Sequence, residues 1–228
     1  MSNFIKSSIG RKSVMAVTGL FLIGFVVVHM LGNLQIYLGQ DALNDYAKHL
    51  NEMPLLLWPA HIFLLLTLIT HIFVSMSLAL ENRAARPVRY VARDTIQASY
   101  ASRTRVMSGI IIFLFILYHL LHFTFGKVQP QFFEQLDSKG REDVYGMIIY
   151  GFRNIYVSVS YIVAMAVLCL HLSHGLESLF QSLGLGSERM GPILKKIAVA
   201  LSLFIFVGNS SIPVSVLLGV ISMPAGGR

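Results

Sequence analysis

The chain has 228 residues and a formal net charge of +7; 55% of its residues are hydrophobic and 13% are charged, whereas about a quarter are charged in an average soluble domain. Five stretches contain no Asp, Glu, Lys or Arg, namely 13–40, 53–80, 106–126, 154–176 and 197–227. Because the segments between them cannot build a hydrophobic core of their own, the composition excludes a water-soluble enzyme with its own catalytic domain.

Each charge-free stretch is 21 to 31 residues long, and a helix needs about 20 predominantly apolar residues to cross a bilayer. The stretches therefore predict five membrane-spanning helices, approximately at 13–38, 54–80, 105–126, 154–180 and 193–220. A polar outer loop at 39–53, an Arg-rich inner connection at 81–104 and a partly helical outer loop at 127–153 are expected between them. No low-complexity linker divides the chain, so we expect an all-α integral membrane protein with a single membrane domain over residues 1–228.

The positive charge is expected to lie on one side of the membrane. With a cytoplasmic N-terminus, the inner segments hold twelve basic and four acidic residues, and the outer segments hold six basic and seven acidic residues. An excess of Lys and Arg in cytoplasmic segments sets the orientation of membrane proteins. We therefore predict that the N-terminus is inside and that Arg228 is outside, and we assign the basic residues to the membrane surface rather than to nucleic acid.

The cysteine count and the N-terminal region bear on two further features, namely disulfides or cysteine-based metal clusters and a cleaved leader. The single cysteine, Cys169, lies in an apolar stretch, which excludes an internal disulfide or a cysteine-based metal cluster and predicts a small packing residue. The first apolar stretch is too long for the apolar region of a signal peptide and has no small-residue cleavage site after it, so no cleaved leader is expected.

A weak repeat relates the first and third predicted spans. Thr18-Gly19 precedes His29 by eleven and ten residues, and Ser108-Gly109 precedes His119 by the same two spacings. Small residues at such positions let helices approach closely, or they leave room for a bulky ligand. Ordinary packing would explain either pair alone, but the shared spacing to a histidine indicates equivalent roles for the two spans.

Seven of the eight histidines lie in predicted spans, where an ionisable residue marks a functional site by default because burying it is costly. Four of them fall at two depths. His29 and His119 lie 2.5 and 3 residues from the midpoints of their charge-free stretches toward the outside. His71 and His171 lie 4.5 and 6 residues toward the inside. At 1.5 Å per residue the two levels are roughly 12 Å apart.

Two histidines from two helices at one depth, repeated at a second depth, are what two stacked haems with two imidazole ligands each require. Such iron has no open position for oxygen or substrate, so the site would transfer electrons. Hydrogen bonding between helices explains any single histidine, but it explains four at matched depths poorly. His122 and His174 each lie three residues from a candidate ligand and are predicted to support the haems or to contact propionates or a quinone. His61 is left without a role.

Four segments carry a resemblance to a known family: GRKSVMAVTGLFLIGFVVVHMLGN, LTLITHIFVSM, TRVMSGIIIFLFILYHLLHF and LCLHLSHGLESLFQSLG. They resemble the dihaem cytochrome b membrane anchor of succinate:quinone oxidoreductases, in its single-subunit, five-helix type. The resemblance covers essentially the whole chain. It implies that His29 and His119 ligate a distal haem near the outer face, and that His71 and His171 ligate a proximal haem near the cytoplasm, which is the pairing that the depths predict.

The resemblance also implies partners and a location in the bacterial cytoplasmic membrane. A flavoprotein with covalent FAD and an iron–sulfur protein would dock on the inner surface, where six arginines from Arg83 to Arg105 suit them or anionic lipid. Quinone, with menaquinone expected, would bind near the distal haem. Asn33, Glu52 and His122 are the candidate contacts, because quinone chemistry needs a proton acceptor beside the redox centre. Some fumarate reductases of this family carry an acidic residue two positions before the fourth haem ligand; Cys169 stands there in this chain, which counts against the same proton pathway.

We therefore predict the membrane anchor of a quinone-linked succinate or fumarate enzyme, which passes electrons between an iron–sulfur partner and quinone and holds no dicarboxylate site itself. Two alternatives stay open on the sequence. One is a transporter or channel whose histidines relay protons or bind metal, although the spans lack the acidic residues common in pumps and no inverted repeat with a midplane site is evident. The other is a dihaem subunit of a different dehydrogenase.

Overall fold

The computed structural model describes residues 7–84, 105–184 and 187–224. Within these ranges the α-helices are, in chain order, α1 (Ser8–Asn33), α2 (Gln40–Asn51), α3 (Pro54–Ala84), α4 (Arg105–His119), α5 (Val144–Arg153), α6 (Ile155–Ser182) and α7 (Gly191–Leu217). Short 3-10 helices at Leu34–Leu38 and Pro130–Phe132 follow α1 and precede α5. A π-helical turn at Leu120–Thr124 extends α4.

In the described part of the chain, five helical segments are long and apolar enough to cross a membrane: Ser8–Leu38, Pro54–Ala84, Arg105–Thr124, Ile155–Ser182 and Gly191–Leu217. The predicted fold class, an all-α membrane protein with five spanning helices, is confirmed. The first helix begins at Ser8, five residues before the predicted start, because its first turns carry the basic residues Arg11 and Lys12 and were not part of a charge-free stretch. The Ser7 side chain caps this helix by accepting a hydrogen bond from the Gly10 amide. The last ends three residues early, where Gly219 takes the left-handed conformation typical of helix ends.

The spanning helices pack through small residues. Among the described helices, α6 and α7 make the most extensive contact, α1 packs against α3, α6 and α7, and α4 packs against α6. Ser158 of α6 and Ser202 and Ala198 of α7 are fully buried, and Gly208 of α7 lies so close to Met30 of α1 that a Cβ there would overlap its sulfur. Small interfacial residues let membrane helices approach closely, and they place α1 and α6 around a shared interior.

One end of the bundle, the predicted outer end, carries a cap made from α2, the loop after α4 and α5. The segment at 39–53, predicted as a loop, contains the helix α2 because Leu43 and Asn44 turn inward and are buried. The predicted partly helical character of 127–153 is confirmed by α5, whose Ile149 is fully buried in a cluster with Ile36 of the first span. The cap therefore shields the outer ends of the spans.

At the opposite end of the bundle from the cap, an ion pair between Arg11 and Glu81 joins α1 to α3. Most of the predicted Arg-rich inner connection, residues 85–104, lies outside the described residues, as does Arg228.

Candidate functional site

The two inner histidines each meet a hydroxyl group from a neighbouring helix. Nδ1 of His71 on α3 is 3.0 Å from Oγ1 of Thr18 on α1, and Nδ1 of His171 on α6 is 3.0 Å from Oγ of Ser108 on α4. Thr18 and Ser108, the hydroxyl residues of the sequence repeat, therefore contact the two histidines that are predicted to share the inner level.

The two outer histidines converge from α1 and α4. The ring centroids of His29 and His119 are 5.8 Å apart and their planes are nearly perpendicular, at 88°. Phe25 stacks on His29 with centroids 5.4 Å apart, and Phe115 and Phe123 lie 6.1 and 5.7 Å from His119. The structure thus brings the predicted outer pair together inside an aromatic lining.

A buried tyrosine connects the outer level to the cap. The hydroxyl of Tyr161 on α6 is 3.3 Å from Nδ1 of His119 and 3.0 Å from Nδ1 of His122, and Nε2 of His122 is 3.1 Å from Oε1 of Gln129. With the Gln129 oxygen as acceptor, neutral His122 carries its proton on Nε2 and accepts the Tyr161 proton at Nδ1. Tyr161 then accepts from Nδ1–H of His119, which leaves the Nε2 lone pair of His119 for a metal.

The buried His122 lies in the π-helical turn Leu120–Thr124 and is only 3% exposed. Gly151 of α5 sits beside it, since a Cβ there would come within 3.3 Å of its Nε2. Single π-helical turns occur frequently at functional sites. Here the turn carries His122 inward, next to the group around His119.

The three predicted quinone contacts lie in different surroundings. Asn33 donates to the backbone oxygen of His29 at 2.9 Å. Glu52 is exposed at the end of α2 and lies 3.8 Å from Lys48. His122 makes the buried contacts described above. Of the three, His122 and Asn33 contact residues of the outer level, whereas Glu52 pairs with Lys48 of the helix that it follows.

The donor set fits haem better than a bare metal ion. Within the described ranges, no group of three or more His, Cys, Asp or Glu side chains could hold a metal ion. Two imidazoles per level suffice for an iron whose other four positions are filled by a tetrapyrrole. In addition, Nε2 of His174, three residues after His171, is buried without a hydrogen-bond partner among the described residues, and a buried polar atom normally has one.

The remaining intramembrane histidine, His61, is exposed on α3 and meets Trp58 edge-on with ring centroids 6.2 Å apart. Sequence reasoning missed Tyr161 and Gln129. Tyr161 could have been found, because it lies ten residues before His171 and so about 15 Å nearer the outside along the same helix. Gln129 could not, because only the folded outer loop brings it to His122.

A family model for the succinate dehydrogenase/fumarate reductase transmembrane subunit matches residues 79–208. The match covers more than half of the chain and includes His119 and His171. Comparison with curated proteins and with solved structures gives no match. The chain therefore belongs to the succinate dehydrogenase/fumarate reductase transmembrane subunit family, whose members generally bind haem b and quinone and serve as membrane anchors for a flavoprotein and an iron–sulfur subunit.

Proposed function

We propose that this membrane anchor passes electrons between its iron–sulfur partner and quinone through two b haems with two histidine ligands each. His29 and His119 would hold the distal haem, and His71 and His171 the proximal one. The observation that carries the proposal is the presentation of four imidazoles from four spans at two levels. The outer rings converge on each other, and each inner ring is held at Nδ1 by a hydroxyl group.

The spacing of the two levels follows from one helix. Thr18 contacts an inner histidine, and His29, eleven residues further along α1, belongs to the outer pair. At 1.5 Å per residue the levels are about 16 Å apart along that helix, somewhat more than the charge-free midpoints indicate. The two sites would therefore be stacked across the membrane rather than side by side, which suits transfer between its inner side and an outer quinone site.

Bound haem would supply the one-electron carrier, and the protein would fix its ligands and its surroundings. Two histidines would hold each haem, and a haem held in this way would exchange electrons without binding oxygen or substrate. Phe25, Phe115 and Phe123 surround the outer pair with apolar rings, and such a shell limits solvent access and tunes redox potential. These features favour electron transfer over a proton or metal relay.

Quinone, proposed to be menaquinone, would react near the distal haem. His122 is the strongest candidate proton acceptor, because Tyr161 connects it to His119 and Gln129 connects it to the outer loop. Asn33 and Glu52 stay as candidate contacts.

We further propose a single membrane domain over residues 1–228 in the bacterial cytoplasmic membrane, with the N-terminus and the docked partner subunits inside and the C-terminus outside.

Counting haems in the purified protein tests this function. The wild type is expected to bind two haems per chain, with dithionite-reduced absorption bands. His71→Ala and His171→Ala should each retain one, whereas the exposed His61→Ala serves as a control that retains two. Two haems in either ligand variant, or a colourless wild type, would contradict the proposal, and a colourless protein would favour a transporter. Co-purification of a flavoprotein and an iron–sulfur protein separates this function from service to another dehydrogenase.

A further inference from the structure

We infer that Thr18 and Ser108 are positioning residues for the proximal haem: their hydroxyl oxygens accept Nδ1–H of His71 and His171, which leaves Nε2 of each imidazole for iron and lowers the reduction potential of that haem. This inference rests on the proposed function, and it concerns side chains that do not themselves touch the iron.

The direction of both hydrogen bonds follows from counting hydrogens. The Thr18 hydroxyl lies 2.8 and 3.1 Å from two backbone oxygens of its own preceding turn, and the Ser108 hydroxyl lies 2.9 Å from the backbone oxygen of Arg105. A hydroxyl has one hydrogen, and in each case a backbone carbonyl takes it. The remaining contact, at 3.0 Å to an imidazole Nδ1, therefore requires the imidazole to donate.

A neutral imidazole with its proton on Nδ1 has its lone pair on Nε2. The two hydroxyl groups thus select the same tautomer for both inner histidines, and this tautomer ligates through Nε2.

The two contacts are equivalent in their surroundings as well as in their distances. Gly19 follows Thr18 and Gly109 follows Ser108, and a Cβ at either glycine would lie 3.4 or 3.6 Å from Cε1 of the histidine that its neighbour contacts. In each case the hydroxyl group and the glycine that follows it therefore lie beside two neighbouring ring atoms, Nδ1 and Cε1, of one imidazole. A hydroxyl residue followed by glycine on each of two helices, in contact with one histidine of a pair, indicates a shared function rather than incidental packing.

A hydrogen bond accepted from Nδ1–H raises the basicity of a metal-ligating imidazole and orients its ring. Greater basicity favours Fe(III) over Fe(II), so the two hydroxyl groups would lower the potential of the proximal haem. The net free energy of one hydrogen bond corresponds to a factor of about two to ten in an equilibrium constant. Loss of one hydroxyl should therefore raise the Fe(II)/Fe(III) ratio at a fixed applied potential by about two- to tenfold, where tenfold equals 59 mV for a one-electron couple.

The test is a redox titration of the purified, haem-loaded protein that resolves the two haems by optical and electron paramagnetic resonance spectra. Thr18→Val and Ser108→Ala remove one hydroxyl each and change side-chain volume little. Thr70→Val and Ser77→Ala are matched controls, because within the described residues these exposed hydroxyl groups bond only backbone carbonyls of their own helix. Thr18→Ser restores the acceptor.

We expect Thr18→Val and Ser108→Ala to raise the proximal potential, or to lower proximal haem occupancy, while the distal haem keeps its potential. The controls and Thr18→Ser should match the wild type. If the wild type binds two haems and both hydroxyl deletions leave the proximal potential and occupancy unchanged, this inference is wrong and the proposed function stands. A wild type without a proximal haem contradicts both.

Discussion

The outer cap depends on one buried arginine. The Arg141 side chain is 6% exposed and lies 2.6 Å from carboxylate oxygens of Asp41 and Asp45 on α2 and of Asp137 in its own loop. The side chains of Asp41 and Asp45 are 65% and 64% exposed, whereas that of Asp137 is 1% exposed. Replacing the cation therefore leaves one carboxylate, that of Asp137, buried without its partner.

We predict that Arg141→Leu lowers the free energy of unfolding by about 3 kcal/mol, the lower end of the range for breaking a buried ion pair. The lower end applies because Asp137 keeps hydrogen bonds from the Asn44 side chain and from the backbone amides of Lys139 and residue 141. For a chain of this size, that loss corresponds to a fall of about 6–12 °C in Tm. Circular dichroism of the detergent-solubilised protein would measure it.

The stability difference between the wild type and Arg141→Leu depends on pH through the pKa of Asp137. Burial raises the pKa of Asp137, but hydrogen bonds from Arg141, from its backbone amide and from Asn44 outweigh burial and hold the pKa well below its usual range. A carboxylate with a lowered native pKa stabilises the fold above its unfolded pKa of about 3.9, and this stabilisation is lost as the pH falls toward the native pKa. The difference in stability between wild type and Arg141→Leu should therefore stay nearly constant from pH 7 to about 4 and shrink as the pH is lowered further.

Two variants make this test decisive. Lys139→Ala removes an exposed cation that contacts Asp41 at 2.7 Å, and it should leave Tm nearly unchanged because exposed pairs contribute little. Asp137→Asn combined with Arg141→Leu removes the uncompensated charge and should recover much of the lost stability. An Arg141→Leu variant as stable as Lys139→Ala, or a double variant no better than the single one, would refute the reasoning.

Two further predictions concern the outer level. Tyr161→Phe removes the hydroxyl that contacts Nδ1 of His119 and should raise the potential of the distal haem by up to about 60 mV while the proximal potential stays constant; an equal shift in both haems in a redox titration would count against it. Gly208→Val places atoms where the fully buried Met30 now lies. It should lower the free energy of unfolding by about 1–3 kcal/mol through overpacking, which thermal unfolding would measure. Gly24→Ala is the control and should not lower the free energy of unfolding, because its Cβ would meet nothing within 4 Å.

The family match and the arrangement of the histidines support each other from different parts of the chain. The match begins at residue 79, so it includes neither His29 nor His71. The structure links His29 to the matched region through its contact with His119. The Thr18–His71 contact, outside the matched region, repeats the Ser108–His171 contact within it. The assignment of all four as haem ligands stays a prediction that the variants above test.

The five spans could be predicted from sequence because the bilayer imposes a one-dimensional rule: charges avoid its interior, and each crossing needs about 20 apolar residues. The depth of a residue in the membrane also follows from its position in the sequence, because a helix advances by a constant rise per residue. The sequence alone therefore predicted the grouping of His29 with His119. Thr18 and Ser108 were visible as a repeat for the same reason.

Rotation about each helix axis and contacts between distant segments were decided by tertiary structure alone. The repeat did not reveal that Thr18 faces His71 rather than lipid, because that depends on how α1 packs against α3. The cap is a stronger case: Arg141 meets acidic residues of α2 about a hundred positions earlier in the chain. The bilayer rule does not extend to such polar contacts, which depend on side-chain positions that only the assembled bundle provides.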